Sequence, residues 1–369
     1  MRKKPTLQDV ALLAGVSTAT VSNAINNSKF VAEITRRKVF GAVDLLNYIP
    51  NNLAKSLKTR DTHLIGLLVS DIANPFFPPV VRGIEDQLAI NGYNILLSET
   101  NSDSVREKEN LRMLLGRRID GLIVSIAGCE EEHFSSIDIP IVFFNRVPFS
   151  GQYNTVQVKN FKAAYIGTEH LINHGYRRIA MIAGPEHLNV GRDRMRGYMQ
   201  ALHDCGLDTD IRYISSGEFS DHRGYMAMRI LMSHKEPPEA VFTGNNALSL
   251  GAFRYLKDAR IRIPDDIAFV GYDDTDWATI VDPPLTIVRY PMYEMGVQIG
   301  TLILDAIKNS GRSSTQTIEF EPELVVRRSC GCAPECSEAV STDTLGVDIT
   351  PSVCEKRIST IHNNTGVTE

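Results

Sequence analysis

From His63 onward the chain alternates short apolar runs with amphipathic stretches, and few architectures accept that rhythm. Leu64 to Val69, Tyr93 to Leu97, Gly121 to Ser125, Ile139 to Phe144, Arg178 to Ala183, Ala240 to Thr243 and Ile267 to Gly271 read as strands, separated for the most part by helical stretches of about 10 to 18 residues. Strands that are apolar on both faces need cover on both, so this order predicts βαβ units and parallel sheets flanked by helices. Residues 63–329 are too many for one ordinary sheet. The expectation is two lobes around a cleft, with a ligand at the carboxyl ends of the strands.

The first 49 residues follow a different pattern, that of short helices. Thr6 can cap a helix whose third position is Asp9, with Val10, Ala11 and Ala14 as its apolar stripe and Gly15 as its stop. Ser17 caps the next helix, which turns Val21, Ala24 and Ile25 inward. Only Gly15 and Val16 separate the two, the spacing of a helix-turn-helix, and glycine suits the positive φ of such a turn. A third helix over 33–46 closes the core with Val39, Val43 and Leu46 behind a weak cap, Ala32. Residues 50–62 follow as a hinge and linker: Pro50 ends the helical region, and residues 51–57 offer two turns, too few to be stable alone in water. After residue 329 the periodicity stops, and the Ser- and Thr-rich segment 330–369 reads as a flexible tail.

Charge divides at the same boundary. Residues 1–60 hold ten Lys or Arg against three acidic residues, a net +7, while the rest holds 29 basic and 41 acidic residues, a net −12. A small basic module on an acidic body points to a polyanionic partner for the module alone. No apolar run approaches the roughly 18–20 residues of a membrane span, and Met1-Arg2-Lys3-Lys4-Pro5-Thr6 runs into polar helix, so a cytoplasmic location is expected. Six cysteines in 369 residues make no disulfide framework. Cys330-Gly331-Cys332 with Cys336 is a single cluster without the spacing or partners of a zinc site, so neither a metal nor a cofactor is expected. With no Gly-Lys pair there is no standard P-loop, and no nucleophile with a base stands at the strand ends. The competing class is an enzyme or a periplasmic-type carrier on the same fold. A carrier would have no use for a basic helix-turn-helix, and an enzyme lacks its reacting set.

Thr6-Leu7-Gln8-Asp9-Val10-Ala11, Ala14-Gly15-Val16-Ser17, Thr20-Val21-Ser22 and Tyr48-Ile49-Pro50-Asn51 resemble the headpiece of the lac repressor family. Asn74-Pro75-Phe76-Phe77, Arg118-Ile119-Asp120-Gly121-Leu122-Ile123, His174-Gly175-Tyr176-Arg177-Arg178-Ile179, Gly271-Tyr272-Asp273-Asp274 and Pro283-Pro284-Leu285-Thr286 are similar to that family's sensor, in the same order. The resemblance spans residue 6 to about 329. It implies a helix-turn-helix headpiece with a hinge helix, followed by a two-lobed, periplasmic-binding-protein-like α/β sensor. It also implies a transcriptional repressor that acts as a homodimer on pseudo-palindromic operator DNA and answers to a sugar or sugar derivative.

Thr18, Ala19 and Asn23 match the base-reading positions of the second helix, where Asn can pair with adenine and Ala can touch a thymine methyl. Thr6, Ser17, Thr20 and Ser22 are candidates for phosphate contact, with helix capping as the plainer reading. Asn51, Ala54, Lys55, Leu57 and Lys58 match the hinge helix that enters the minor groove, Leu57 being the apolar wedge. In the sensor, Arg194 and Asp273 match the polar anchors of the effector. Asp71, Asn145, Arg146 and Asn245 are further polar candidates, and Phe76, Phe77, Phe219 and Trp277 offer apolar faces to a ring. Asn145 stands before Arg146 where the family usually has Asp, which leaves the identity of the effector open.

Overall fold

A computed structural model describes residues 5–48, 61–128, 131–148, 151–309 and 315–332. The chain divides into two compact units, Met1–Thr62 and His63–Glu369. Among the described residues no helix is long and apolar enough to cross a membrane.

In the first unit α1 (Leu7–Ala14), α2 (Thr18–Asn26) and α3 (Glu33–Leu46) pack around Val10, Ala11, Ala14, Val21, Ala24, Val39 and Ala42. Thr6 and Asp9 form a reciprocal capping box, so the first turn of α1 has no idle donors where they meet. Gly15 ends α1 at φ +66°, a left-handed conformation that a side chain resists. Ser17 caps α2 by accepting from the Thr20 amide at 3.1 Å, and Ala32 gives α3 no side-chain cap. Val43 and Leu46, expected to close this core, are only partly buried at its edge.

The second unit runs β1 (Leu64–Val69), α4 (Phe77–Ile90), β2 (Asn94–Glu99), α5 (Ser104–Gly116), β3 (Gly121–Val124), α6 (Glu132–Ser135), β4 (Ile141–Phe144) and β5 (Asn154–Val158). It continues through α7 (Asn160–Asn173), β6 (Ile179–Ala183), α8 (Asn189–Asp204), β7 (Ile214–Ser216), α9 (Asp221–Met232), β8 (Ala240–Thr243), α10 (Asn246–Asp258) and β9 (Ala268–Tyr272). Then come α11 (Asp276–Ile280), β10 (Thr286–Arg289), α12 (Met292–Lys308), β11 (Thr317–Phe320) and β12 (Glu323–Val325).

Two six-stranded sheets result, in the orders β11-β5-β4-β3-β1-β2 and β12-β10-β9-β8-β6-β7. Every pairing is parallel except β12 with β10 at one edge. Central strands such as β3, β4, β6, β8 and β9 are buried along their whole length, which is why they read as unbroken apolar runs. The chain passes from one lobe to the other at 158–160, 289–292 and 320–323, so each lobe is built from separate stretches of sequence. Salt bridges from Lys159 and Lys162 to Glu321, and from Arg289 to Glu323, tie these passages together.

The expected boundary of the body at residue 329 lies short of what the structure describes. Ser329 and Cys330 are fully buried, and Cys332 is half-buried. The Ser329 hydroxyl donates to the Phe269 carbonyl and accepts from the Thr286 amide, which gives this segment fixed partners in β9 and β10.

Candidate functional site

Strand ends and helix starts bring the polar residues of the sensor to one place between the lobes. A narrow cavity is lined by Asn74, Phe76, Phe77, Asn145, Arg146, Val190, Arg194, Phe219, Asn245, Asp273 and Tyr290. Asn145 and Arg146 follow β4, Asn245 follows β8, Asp273 follows β9 and Tyr290 follows β10. These are the carboxyl ends of parallel strands, where an open α/β sheet leaves room for a ligand. Asn145 and Asp273 both hold positive φ, +57° and +67°, a turn that their short polar side chains tolerate better than most.

Two buried cations dominate the electrostatics. The Arg194 guanidinium donates to Asn160 Oδ1 at 2.8 Å and to the Gly244 carbonyl, and lies 3.8 Å over the Tyr272 ring. Arg146 donates to Ser102 Oγ at 3.0 Å and stands 5.5 Å from the centre of the Phe219 ring. Burial pulls Arg146 down to about 10, with Asp71 opposing and Arg194 reinforcing the shift, so it remains a cation at neutral pH.

Asp273 is the matching acceptor, taking hydrogen bonds from the Asn246 amide at 3.1 Å and from the Tyr290 hydroxyl. Burial raises its carboxyl above the ordinary range, while Arg194 and those two donors pull the other way. Asn245 Oδ1 caps α10 through the Leu248 amide at 2.9 Å, which commits that oxygen and leaves the amide nitrogen as the donor. Across the gap, Asn189 at the head of α8 donates to the Asn145 carbonyl and accepts from the Val147 amide, both at 3.1 Å. The two lobes are therefore latched beside the cavity.

Of the effector residues expected from sequence, Phe76, Phe77, Asn145, Arg146, Arg194, Phe219, Asn245 and Asp273 stand together in this lining. Asp71 is outside it, accepting from the Ala73 amide at 3.0 Å while acting on Arg146 through its charge. Trp277 is also outside, its indole nitrogen donating to Asn246 Oδ1 at 2.8 Å and its ring set against Phe253. Asn74, Val190 and Tyr290 were not expected. Asn74 opens a motif already noted in the sequence, but Val190 and Tyr290 belong to no motif and carry no charge that would single them out.

In the headpiece, Thr18 and Ala19 are exposed on the first turn of α2, and Thr20, Ser22 and Asn23 are half-buried. Asn23 Oδ1 accepts from Ser28 Oγ at 2.9 Å, and Ser22 Oγ accepts from Asn26 at 3.3 Å. Thr6 and Ser17 serve as caps and remain exposed. Asn51, Ala54, Lys55, Leu57 and Lys58 lie outside the described residues.

Residues 6–51 match the family described as bacterial regulatory proteins, lacI family, and residues 168–330 match the periplasmic binding protein-like domain. The ribose operon repressor of Escherichia coli (strain K12) is 40% identical over 331 residues, spanning 88% of this chain and 99% of that protein. The HTH-type transcriptional repressor PurR of Photobacterium profundum is 34% identical over 328 residues, 88% of this chain and 98% of its own. Among solved structures, the lac repressor bound to ONPG in its repressed state superposes with a TM-score of 0.79 at 28% identity, covering 89% of this chain and all of that one. The transcriptional regulator CelR in complex with cellobiose gives a TM-score of 0.68 at 32% identity, with 88% and 99% covered. With a helix-turn-helix match on α1 to α3, a sensor fold shared with solved repressors and a relative aligned over nearly its whole length, the chain belongs to the lacI family of bacterial regulatory proteins.

Proposed function

We propose that this protein represses transcription from a pseudo-palindromic operator as a homodimer, and that a sugar in the interlobe cavity, of the monosaccharide class, sets its DNA affinity. The carrying observation is the lining itself, which combines a planar cation, a buried carboxylate and an amide donor with aromatic rings. Sugars present hydroxyls at their rims and C–H faces between them, and this combination suits both. The ribose operon repressor, at 40% identity, favours a monosaccharide over the disaccharide of the CelR complex, which is at 32%.

On the DNA side, Thr18, Ala19 and Asn23 read base edges in the major groove, and Thr6, Ser17, Thr20 and Ser22 hold phosphates. Asn51, Ala54, Lys55, Leu57 and Lys58 contact the minor groove, with Leu57 as the wedge. The protein works beside DNA in the cytoplasm, performs no catalysis and requires no cofactor for this role.

Thermal-shift titration with D-ribose, other pentoses, hexoses, cellobiose and purine bases tests the effector. A pentose at a hundred times its dissociation constant should stabilise the sensor by about 2.7 kcal/mol. A shift with purines alone would transfer the site to the chemistry of the PurR relatives and overturn the sugar reading. Leu57→Ala should weaken specific operator binding while leaving salt-dependent non-specific binding intact.

A further inference from the structure

The sensor carries a set of soft ligands that neither DNA recognition nor the effector cavity uses. His170 and His174 are four residues apart at the end of α7, on one side of its last turn, with ring centres 4.3 Å apart. The chain returns to this turn at Cys330-Gly331-Cys332. Gly331 has φ +85°, and a Cβ there would come within 2.8 Å of the Tyr176 hydroxyl oxygen, so glycine alone permits this bend. The bend brings the two Sγ atoms to 3.0 Å from each other. Cys332 Sγ then lies 2.7 Å from His174 Nε2 and 3.7 Å from His170 Nε2. His170 and both cysteines offer ligand atoms that all fall within 4.8 Å of one another. The partners that the cysteine cluster lacks along the sequence are supplied by the fold.

We propose that His170, His174, Cys330 and Cys332 form a four-ligand site for one thiophilic divalent cation of the zinc class. Bonds of about 2.3 Å to sulfur and about 2.0–2.1 Å to nitrogen place the corners of a zinc tetrahedron roughly 3.3–3.8 Å apart. The separations of 2.7, 3.0 and 3.7 Å lie near that range, and His174, which is exposed and not among the three residues whose ligand atoms all fall within 4.8 Å of one another, completes the set by a swing of its imidazole. His174 Nδ1 lies 2.8 Å from the His170 carbonyl oxygen, which can only accept, so Nδ1 carries the proton and Nε2 keeps its lone pair for the metal. Thr286 Oγ1 donates to Cys330 Sγ at 3.1 Å and supports it as a thiolate.

Binding forms two metal–sulfur and two metal–nitrogen bonds and releases two thiol protons to solvent. The dication with two thiolates is neutral overall, which suits a site with one buried ligand. Four protein ligands leave no open position, so the ion is structural and clips the segment at 329–332 to α7. The clip lies where α7 leads into the start of β6, opposite the strand ends that line the effector cavity.

The test uses the full chain, reduced and stripped of metal, titrated with Co(II) and then Zn(II). One cobalt per chain is expected, with thiolate charge-transfer absorption and the strong visible bands of tetrahedral cobalt, displaced by zinc. Cys332→Ser should weaken binding at least 100-fold and His174→Gln at least 10-fold, while Cys205→Ser and Cys336→Ser leave it unchanged. His174 is exposed and Cys332 half-buried, so circular dichroism should show both variants folded. Weak octahedral-type absorption in the reduced protein, binding that survives both variants, or a Cys330–Cys332 disulfide as the sole product with no metal taken up after reduction would each overturn the site.

Discussion

The headpiece and the sensor solve recognition in opposite ways. The candidate residues of α2 stand on one short helix, exposed or half-exposed, and need only a correct helix behind them. The cavity residues come from both lobes and from segments as far apart as Asn74 and Tyr290, and its charges are buried and held by neighbours. A surface reader can change one side chain at a time. A buried site cannot, because each charge there is another group's partner.

The largest expected effect breaks the sensor and spares the headpiece. Arg194→Met removes the donor to Asn160 and to the Gly244 carbonyl and, by leaving these buried acceptors unsatisfied, should cost about 1–3 kcal/mol of sensor stability. Sugar affinity measured by calorimetry should fall at least a hundredfold, while operator affinity without sugar stays within about threefold. A matched loss of both would mean that the two regions are not separable. Next in size, Asn23→Ala should cost about 1–3 kcal/mol of specific operator binding by fluorescence anisotropy, with little change on scrambled DNA.

The third effect is a pH dependence confined to the sensor. With its carboxyl raised by burial, Asp273 takes up a proton more readily in the folded chain than in the unfolded one. The charge therefore opposes folding at neutral pH, and that cost is relieved as pH falls through the raised value. Sugar affinity should move the other way, declining over the same window as the acceptor is lost. Asp273→Asn should bind weakly and show a flat profile, and an unchanged profile in this variant would assign the titration to another group. Smallest of all, Ser17→Ala should lower the stability of the headpiece by about 1 kcal/mol and leave the sensor's melting where it was.

Legibility followed the same division. Capping residues, apolar stripes and the turn glycine lie next to one another in sequence, and they marked the starts of α1 and α2 and the end of α1, while α3 was read from its apolar stripe without a side-chain cap. The fully apolar strands β1 and β8 were also plain, but β5, β7, β10, β11 and β12 were not recognised. Several of these are short or mixed edge strands, half-buried like β7 and β12, and lack the continuous run that two-sided burial imposes. The family resemblance and side-chain chemistry led to most of the cavity lining, while Tyr290 was not among the candidates. The Cys330–Cys332 cluster had no visible partner because His170 is 162 positions away from Cys332.

The three passages between lobes bear on how the protein is made. The lobe that starts at Leu64 receives its last strand, β11, and the helix that covers β3, β4 and β5, α12, only after most of the other lobe has been synthesised. At bacterial elongation rates of about 5–20 residues per second, the edge of β5 and the apolar side of α4 wait uncovered for on the order of ten seconds. A ribosome that stops inside the second lobe therefore releases a first lobe that is unfinished, and such truncated products are targets for chaperones and proteases.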